Sequence, residues 1–158
     1  MTEHVTMEVT GEHTIDQVPN QLWDTLLDPE TLEATIPGAE SLDRDGDHYE
    51  GSLERGLAGI SLTLDADVEI TEKERIEYIK CEIIGTDNTI NSRVDGEAFV
   101  EFEVTEDDET ILVYETEFDF SGKLASLGSR IIKRKMNQDL QTFFNNLEEY
   151  VDDQQATV

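Results

Sequence analysis

Four acidic residues between positions 43 and 54 have the spacing of a calcium-binding loop. Asp43, Asp45, Asp47 and Glu54 fall at positions 1, 3, 5 and 12 of an EF-hand loop, which supplies oxygen ligands to Ca²⁺. The sixth position of that loop requires glycine for its sharp turn, and this chain has His48 there. A strand pattern follows where an EF-hand begins a helix. We therefore predict a hairpin turn here and no metal site.

The other residue types that support catalysis are present without a recognisable arrangement. His4, His13 and His48 have neither the spacing of a metal-binding helix nor a Ser or Cys signature nearby, and we predict that each lies on a strand surface. The chain has 38 acidic residues, and nearly all fall on the polar positions of predicted strands, whereas an acid/base pair would need carboxylates on the buried side. We therefore expect no catalytic residue, no metal and no cofactor.

A segment near the start of the last predicted helix carries the opposite charge from the rest of the chain. Residues 123–135 contain no acidic residue. Their basic residues are Lys123, Arg130, Lys133, Arg134 and Lys135. At about 100° per residue, Leu124, Leu127 and Ile131 form a second apolar edge, nearly opposite the apolar stripe that begins at Ile132.

Three interpretations of this basic segment are open. The segment can contact an anionic surface, either lipid headgroups or an acidic partner, with its leucines inserted or covering the mouth of a ligand site. Its cations can instead pair with acidic strands of the same chain, because a run of charge is usually a solvated face. Gly128 can also kink the helix and turn both apolar edges toward the core.

The overall charge disfavours one class of partner and points to one environment. The formal net charge is −27, and self-repulsion on this scale destabilises a compact chain in dilute buffer. Salt screens that repulsion, since the Debye length falls to about 3 Å at 1 M. We therefore expect a protein from a high-salt cytoplasm, with no nucleic acid as partner.

The lone Cys81 cannot form an intramolecular disulfide, and the sequence has neither a signal peptide nor a membrane-spanning run, which predicts a cytoplasmic chain.

Apolar periodicity predicts the order of the elements. Alternation over residues 5–15 indicates a first strand, and helical spacing over 19–27 indicates a first helix. Asp28 is suited to cap a second helix with Pro29 at its first position, and Pro37-Gly38 ends it. Period-two runs separated by short polar turns then cover about residues 47–57, 60–71, 75–85, 92–105 and 110–120.

The chain ends with a long helix, and the elements together give the fold class. Helical spacing returns over residues 123–151, so we predict an α+β fold in which a curved antiparallel sheet of about six or seven strands surrounds a long C-terminal helix. Two short helices follow the first strand. We predict one domain over residues 1–151 and a polar C-terminal tail over 152–158.

The predicted architecture raises the question of a cavity. A strongly bent sheet that grips one helix rarely closes completely, and the gap between them is an apolar pocket. Aromatic residues such as Phe102, Tyr114 and Phe118 can line that pocket or simply fill the core.

Three short motifs resemble those of one family. Residues 23–30 read WDTLLDPE, residues 36–40 read IPGAE, and residues 122–128 read GKLASLG at the final helix. In this order and spacing they resemble the CoxG-like family, which takes its name from the CoxG subunit of carbon monoxide dehydrogenase and is part of the START-related SRPBCC helix-grip superfamily. The resemblance spans nearly the whole chain.

The resemblance implies a helix-grip fold with an apolar cavity and a non-catalytic role beside an aerobic molybdenum-containing carbon monoxide dehydrogenase. It implies recruitment of that enzyme to the inner face of the membrane, or handling of a quinone such as menaquinone that takes its electrons. We therefore expect a protein that binds a hydrophobic small molecule, a quinone or a lipid. The residues expected at the cavity or its entrance are Ile36, Pro37, Phe102, Tyr114, Phe118, Leu124, Leu127 and Ile131.

Two other functional classes are open. Helix-grip relatives include cyclases and hydrolase-like enzymes, so an inward-facing His, Asp or Glu with a partner would favour an enzyme. A pure protein or membrane interaction module would instead depend on the five basic residues of the segment 123–135.

Overall fold

The computed structural model describes residues 4–156. The strands are β1 (His4–Ile15), β2 (Ala39–Asp45), β3 (His48–Leu57), β4 (Ile60–Glu74), β5 (Tyr78–Asp87), β6 (Ser92–Val104) and β7 (Thr110–Gly122). The helices are α1 (Pro19–Leu27), α2 (Pro29–Thr35) and α3 (Ser129–Ala156), and a 3₁₀ turn covers Leu124–Leu127.

The strands form one curved antiparallel sheet in the order β1-β7-β6-β5-β4-β3-β2. Each strand from β2 to β6 pairs with the next along the chain, and β1 pairs with β7. The predicted meander and the α+β class are therefore confirmed. The side of the sheet that faces the helices is called the inner face below, and the opposite side the outer face.

The two short helices begin where the sequence predicts. The carboxylate of Asp28 accepts a hydrogen bond from the N–H of Glu30 at 3.0 Å, which caps α2 at its Pro29 start. Buried Leu22 and Trp23 hold α1 against the inner face.

Strand β2 lies in a segment for which the sequence predicts no separate strand. Leu42 is the only large apolar residue in Ala39–Asp45, so the segment has no alternating pattern. A register shift between Glu40 and Asp43, with Ser41 at a φ of 54°, interrupts the pairing with β3. The predicted hairpin turn is confirmed, since β2 ends at Asp45 and β3 begins two residues past Gly46, at His48.

The long helix differs from its predicted start. Gly128 has a φ of 88°, a left-handed conformation that a helix cannot include, and it separates the 3₁₀ turn from α3. The prediction of a continuous helix from residue 123 is therefore wrong. At its other end α3 continues past residue 151 to Ala156, into the segment predicted as a polar tail.

The inner face carries two separate groups of buried side chains. The first cluster contains Trp23, Phe102, Phe144 and Leu147, and it lies where α1 and the second half of α3 meet the sheet. The second cluster lies at the other end of α3 and is built from Met7, Leu62, Val94, Phe120, Leu124, Ala125 and Ile132. The core is thus divided along the length of the sheet.

A buried carboxylate fixes the turn that supports the second cluster. Asp87 accepts hydrogen bonds from the backbone N–H of Thr63 at 2.9 Å and of Thr89 at 3.0 Å. The bond from Thr63 is the main cause that holds the pKa of Asp87 below its usual value. The same turn carries Asn91, whose carbonyl accepts a hydrogen bond from the N–H of Lys123 at 3.2 Å. Asp87 therefore positions the turn on which the start of the 3₁₀ segment rests.

Five glutamates from five adjacent strands lie opposite one another across the outer face. The register aligns Glu8 with Glu117, Glu117 with Glu97, Glu97 with Glu82, and Glu82 with Glu69. All five are exposed, and none is paired with a cation in the part of the chain that the structure describes. Directly opposite Cβ atoms in a sheet are about 4.5–5.5 Å apart, so like charges there repel. This glutamate row is a local source of instability.

Removal of the central charge of the glutamate row should stabilise the fold. Glu97→Gln relieves repulsion from two directly opposite carboxylates, and we expect the free energy of unfolding to rise by about 0.5–1 kcal/mol at low salt. The gain should nearly vanish at about 2 M KCl, because screening already weakens the repulsion there. Urea unfolding at both salt concentrations measures the difference. Glu12→Gln is the control, since Glu12 lies on the same face but opposite Val113. An equal gain in both variants would contradict the role of the row.

Candidate functional site

The middle of the inner face is less buried than either end. Ala66, Ile83, Ala98 and Thr116 belong to the four central strands β4 to β7, point toward the helices, and are only half-buried. They belong to neither buried cluster. Meanwhile α3 approaches β1 and α2 most closely. These four residues, called the belt below, are therefore less completely covered than the buried residues of either cluster.

The polar atoms beside the belt are neutral or already bonded. The hydroxyl of Thr116 donates a hydrogen bond to the carbonyl of Val9 at 2.7 Å. Cys81 lies directly opposite Ala98 in the sheet, and burial raises the pKa of its thiol to about 11. The thiol is therefore protonated at neutral pH and is a poor nucleophile.

Five of the expected cavity residues lie on the two sides of the belt. Phe102 is buried and packs against Trp23 in the first cluster, with ring centroids 5.2 Å apart, and Tyr114 packs against the same cluster. Phe118, Leu124 and Leu127 belong to the second cluster or pack against it. Leu124 is buried in the 3₁₀ turn that Gly128 ends, whereas Leu127 of the same apolar edge is only half-buried.

The other three expected residues lie at the periphery. Ile36 and Pro37 are half-buried in the turn after α2, and Ile131 on α3 is 41% exposed. Gly38 follows Pro37 in the same turn, and its carbonyl accepts a hydrogen bond from the N–H of Glu54 on β3 at 3.0 Å. The expected entrance turn is thus attached to β3.

A charged pair connects β3 to α3 beside that turn. The guanidinium of Arg55 donates two hydrogen bonds to the carboxylate of Asp139, from Nε at 3.1 Å and from Nη2 at 2.5 Å. A Cβ added to Gly38 would lie 3.1 Å from Cδ of Arg55, so the entrance turn contacts this pair. Lys135 also lies 3.6 Å from Asp139. The pair therefore connects β3 to α3 beside the turn after α2.

On the other side of α3, a histidine faces inward. His13 shares the inner side of β1 with Val9 and Ile15, and its Nε2 lies 2.9 Å from Oε1 of Glu148 on α3. Its ring stacks on Phe144 with centroids 4.8 Å apart. The prediction of a surface position is therefore wrong for His13. The alternation predicted for β1 already places residue 13 on its apolar side, so the sequence contained the signal.

The remaining histidines lie on the outer face, as predicted. His4 is exposed and pairs with Asp119, and His48 forms a hydrogen bond with Asp67 at 3.0 Å. Glu50 lies near His48 as well, with the two side chains 3.9 Å apart.

The basic segment is mostly unpaired. Lys123, Arg130, Lys133 and Arg134 are exposed, and none of them pairs with a carboxylate in residues 4–153, whose side chains the structure describes. Lys135 differs, because it is half-buried beside Asp139. In the part of the chain that the structure describes, none of the five cations therefore pairs with an acidic strand, and the partner of Lys135 is a residue of its own helix.

Two surface depressions lie near these residues, one beside the basic segment and one on the outer face of the sheet. One of about 580 Å³ lies between β1 and the first turn of α3 and is lined by Thr6, Met7, Glu8, Thr10, Ser129, Arg130 and Lys133. Another of about 550 Å³ lies on the outer face over the glutamate row, and its many carboxylates do not suit an apolar ligand. No helix among the described residues is long and apolar enough to cross a membrane.

Comparison with solved structures identifies the fold. A conserved protein from Geobacillus kaustophilus is 23% identical, with a TM-score of 0.81 over 97% of this chain and 96% of that chain. An uncharacterised protein from Rhizobium leguminosarum is 15% identical, with a TM-score of 0.70 over 96% and 98%. A protein from Thermus thermophilus is 16% identical, with a TM-score of 0.63 over 90% and 95%. These similarities confirm the predicted helix-grip fold, a curved antiparallel sheet around a long C-terminal helix.

Comparison with sequences identifies the family. No curated protein sequence matches the chain. The family model of the CoxG subunit of carbon monoxide dehydrogenase matches residues 11–152, which include all three motifs that the sequence carries. The chain therefore belongs to the CoxG family.

Proposed function

We propose that this protein is a non-catalytic accessory protein that holds an apolar small molecule, a quinone or a lipid, between α3 and the inner face. The observation that carries the proposal is the half-buried belt between two buried clusters. In a well-packed core, side chains at the centre of the sheet are expected to be more deeply buried than side chains at the ends of the sheet. Here the centre is the more accessible part, which suits a ligand that completes the core.

The chemistry around the belt supports an apolar ligand. Ala66, Ile83 and Ala98 present only hydrocarbon, and the hydroxyl of Thr116 is already bonded to the backbone. A neutral thiol at Cys81 adds no charge. A charged ligand would lose its hydration here without gaining a counter-ion, whereas an apolar one would lose only unfavourable contact with water.

Family membership supports a partner for this function. Because CoxG is named as a subunit of carbon monoxide dehydrogenase, we propose the molybdenum enzyme as the protein partner. The exposed cations of the basic segment support a peripheral contact with an anionic membrane at the cytoplasmic side, where Arg130 and Lys133 line a depression beside β1. In this arrangement the membrane contact lies at the start of α3, on the same side of the belt as the second cluster.

One observation favours a second candidate, an enzyme of the cyclase or hydrolase type. His13 faces inward and has Glu148 as a carboxylate partner, the arrangement that orients a general base. The same side chain also stacks on Phe144 and connects β1 to α3, which is sufficient structural reason for its position.

Filling the belt should prevent ligand binding. Ala98→Leu adds three carbon atoms at the centre of the belt, and we expect it to reduce the co-purifying apolar molecule by about tenfold or more, since the added side chain occupies the ligand's place. The wild type and the variant are purified in high salt, extracted with solvent and compared by mass spectrometry.

A matched control separates blocked binding from damaged folding. Ser61→Leu places the same side chain on the outer face of β4 and should leave the amount of extracted ligand unchanged. The proposed function is wrong if two results are found together: the wild type carries no apolar molecule, and it shows no saturable binding of a neutral dye such as N-phenyl-1-naphthylamine.

The same extraction distinguishes the binding protein from the enzyme. His13→Gln keeps a hydrogen-bond donor for Glu148 but removes the base, and we expect it to carry the same molecule as the wild type. An enzyme would instead accumulate unconverted substrate in the variant. A different extracted mass from His13→Gln would therefore favour the enzyme.

Charge reversal in the basic segment should abolish membrane contact. Each basic residue near an anionic surface contributes about 1 kcal/mol, so Arg130→Glu/Lys133→Glu should weaken binding to phosphatidylglycerol vesicles by at least about tenfold at low salt. Co-sedimentation measures the bound fraction, with phosphatidylcholine vesicles as reference. Lys73→Glu/Lys80→Glu makes the same change in charge elsewhere on the molecule and should have a smaller effect. Equal losses in the two double variants would refute a specific membrane surface.

A further inference from the structure

One tyrosine on the inner face is held in place by its ring. Tyr114 on β7 stacks against Phe144 of α3, with ring centroids 5.3 Å apart and an interplanar angle of 26°. Phe144 in turn stacks on His13. The three rings are nearly parallel, so Tyr114 has little freedom to move its hydroxyl elsewhere.

The neighbouring strand leaves room for this hydroxyl. Gly11 on β1 lies directly opposite Tyr114 in the sheet. A Cβ at position 11 would lie 2.5 Å from the tyrosine oxygen and 2.8 Å from Cζ, closer than atoms can approach. Gly11 is not in the left-handed conformation, so the backbone gives no reason for glycine here. The space that the glycine leaves is occupied by the end of the tyrosine side chain.

The hydroxyl of Tyr114 has no protein partner among the described residues. The hydroxyl of Tyr49, by comparison, donates to the carbonyl of Leu27 at 2.6 Å, and that of Tyr78 donates to Glu72 at 3.1 Å. Burial raises the pKa of Tyr114, so the group is neutral at ordinary pH and keeps its proton to donate. Among the described residues the Tyr114 hydroxyl therefore has no acceptor for its proton, and the group is free to donate to another molecule.

We propose that Tyr114 is a specificity-determining residue that donates a hydrogen bond to an oxygen of the ligand. The inference rests on the proposed function and narrows it, because it selects apolar molecules that carry a carbonyl oxygen over plain hydrocarbons. The hydroxyl lies over Gly11 on β1, and the next inward-facing residue of that strand, Val9, accepts the hydrogen bond from Thr116, so the hydroxyl is on the β1 side of the belt. A site that offers an otherwise unbonded donor disfavours analogues that lack the acceptor.

A matched pair of small molecules tests this inference. Fluorene and 9-fluorenone have the same ring system and differ by one carbonyl oxygen. Tyr114→Phe removes only the donor, and we expect it to weaken fluorenone binding by about fivefold to tenfold while fluorene binding changes by less than about twofold. Affinities are measured by displacement of N-phenyl-1-naphthylamine from the full chain.

Two controls make each outcome decisive. Tyr49→Phe removes a hydroxyl already bonded to the backbone and should not alter the preference for fluorenone over fluorene. Thermal melting of Tyr114→Phe confirms that the variant is folded. If Tyr114→Phe binds both molecules as the wild type does, the inference is overturned and the proposed function stands. If neither molecule binds the wild type, the proposed function and the inference both fall.

Discussion

The position of α3 above the sheet is the constraint on which the rest of this structure depends. The helix is attached at its sides, through Arg55 and Asp139 toward β3 and through His13 and Glu148 toward β1. It is also attached to α2, where the side chain of Asn146 donates a hydrogen bond to the carbonyl of Thr35 at 3.0 Å. Because these attachments lie at the margins of α3, short side chains such as Ala66 and Ala98 can remain beneath it without being fully covered.

Charge sets a second constraint, and the two faces of the sheet meet it differently. The charged side chains that join the inner face to α3 form two pairs, Arg55 with Asp139 and His13 with Glu148. The outer face has like charges in register, and the glutamate row has no compensating cations among the described residues. The net charge of −27 is thus concentrated where solvent and counter-ions can reach it. Repulsion among these carboxylates is therefore a feature of the outer face and not of the core.

Much of the fold follows from the sequence, because the period-two runs and the helix caps are local signals. The meander, the Asp28 cap and the last helix were all predictable on this basis. Strand β2 was not, since its pairing with β3 compensates for a weak pattern. The glutamate row was not either, because alternation gives the face of each residue but not the register between strands. The side attachments of α3 join residues far apart in sequence, and no local pattern connects Arg55 with Asp139.

The opposed attachments of α3 have a mechanical meaning. At about 100° per residue, Asp139 and Glu148 project from opposite sides of the helix. Rotation of α3 about its own axis in either direction would pull one of them away from its partner on the sheet. The polar contacts on its two sides therefore fix the rotation of α3 about its own axis. This restraint does not depend on how tightly the side chains beneath the helix are packed. The buried aromatic side chain of Phe144 is therefore held facing the sheet, stacked on Tyr114.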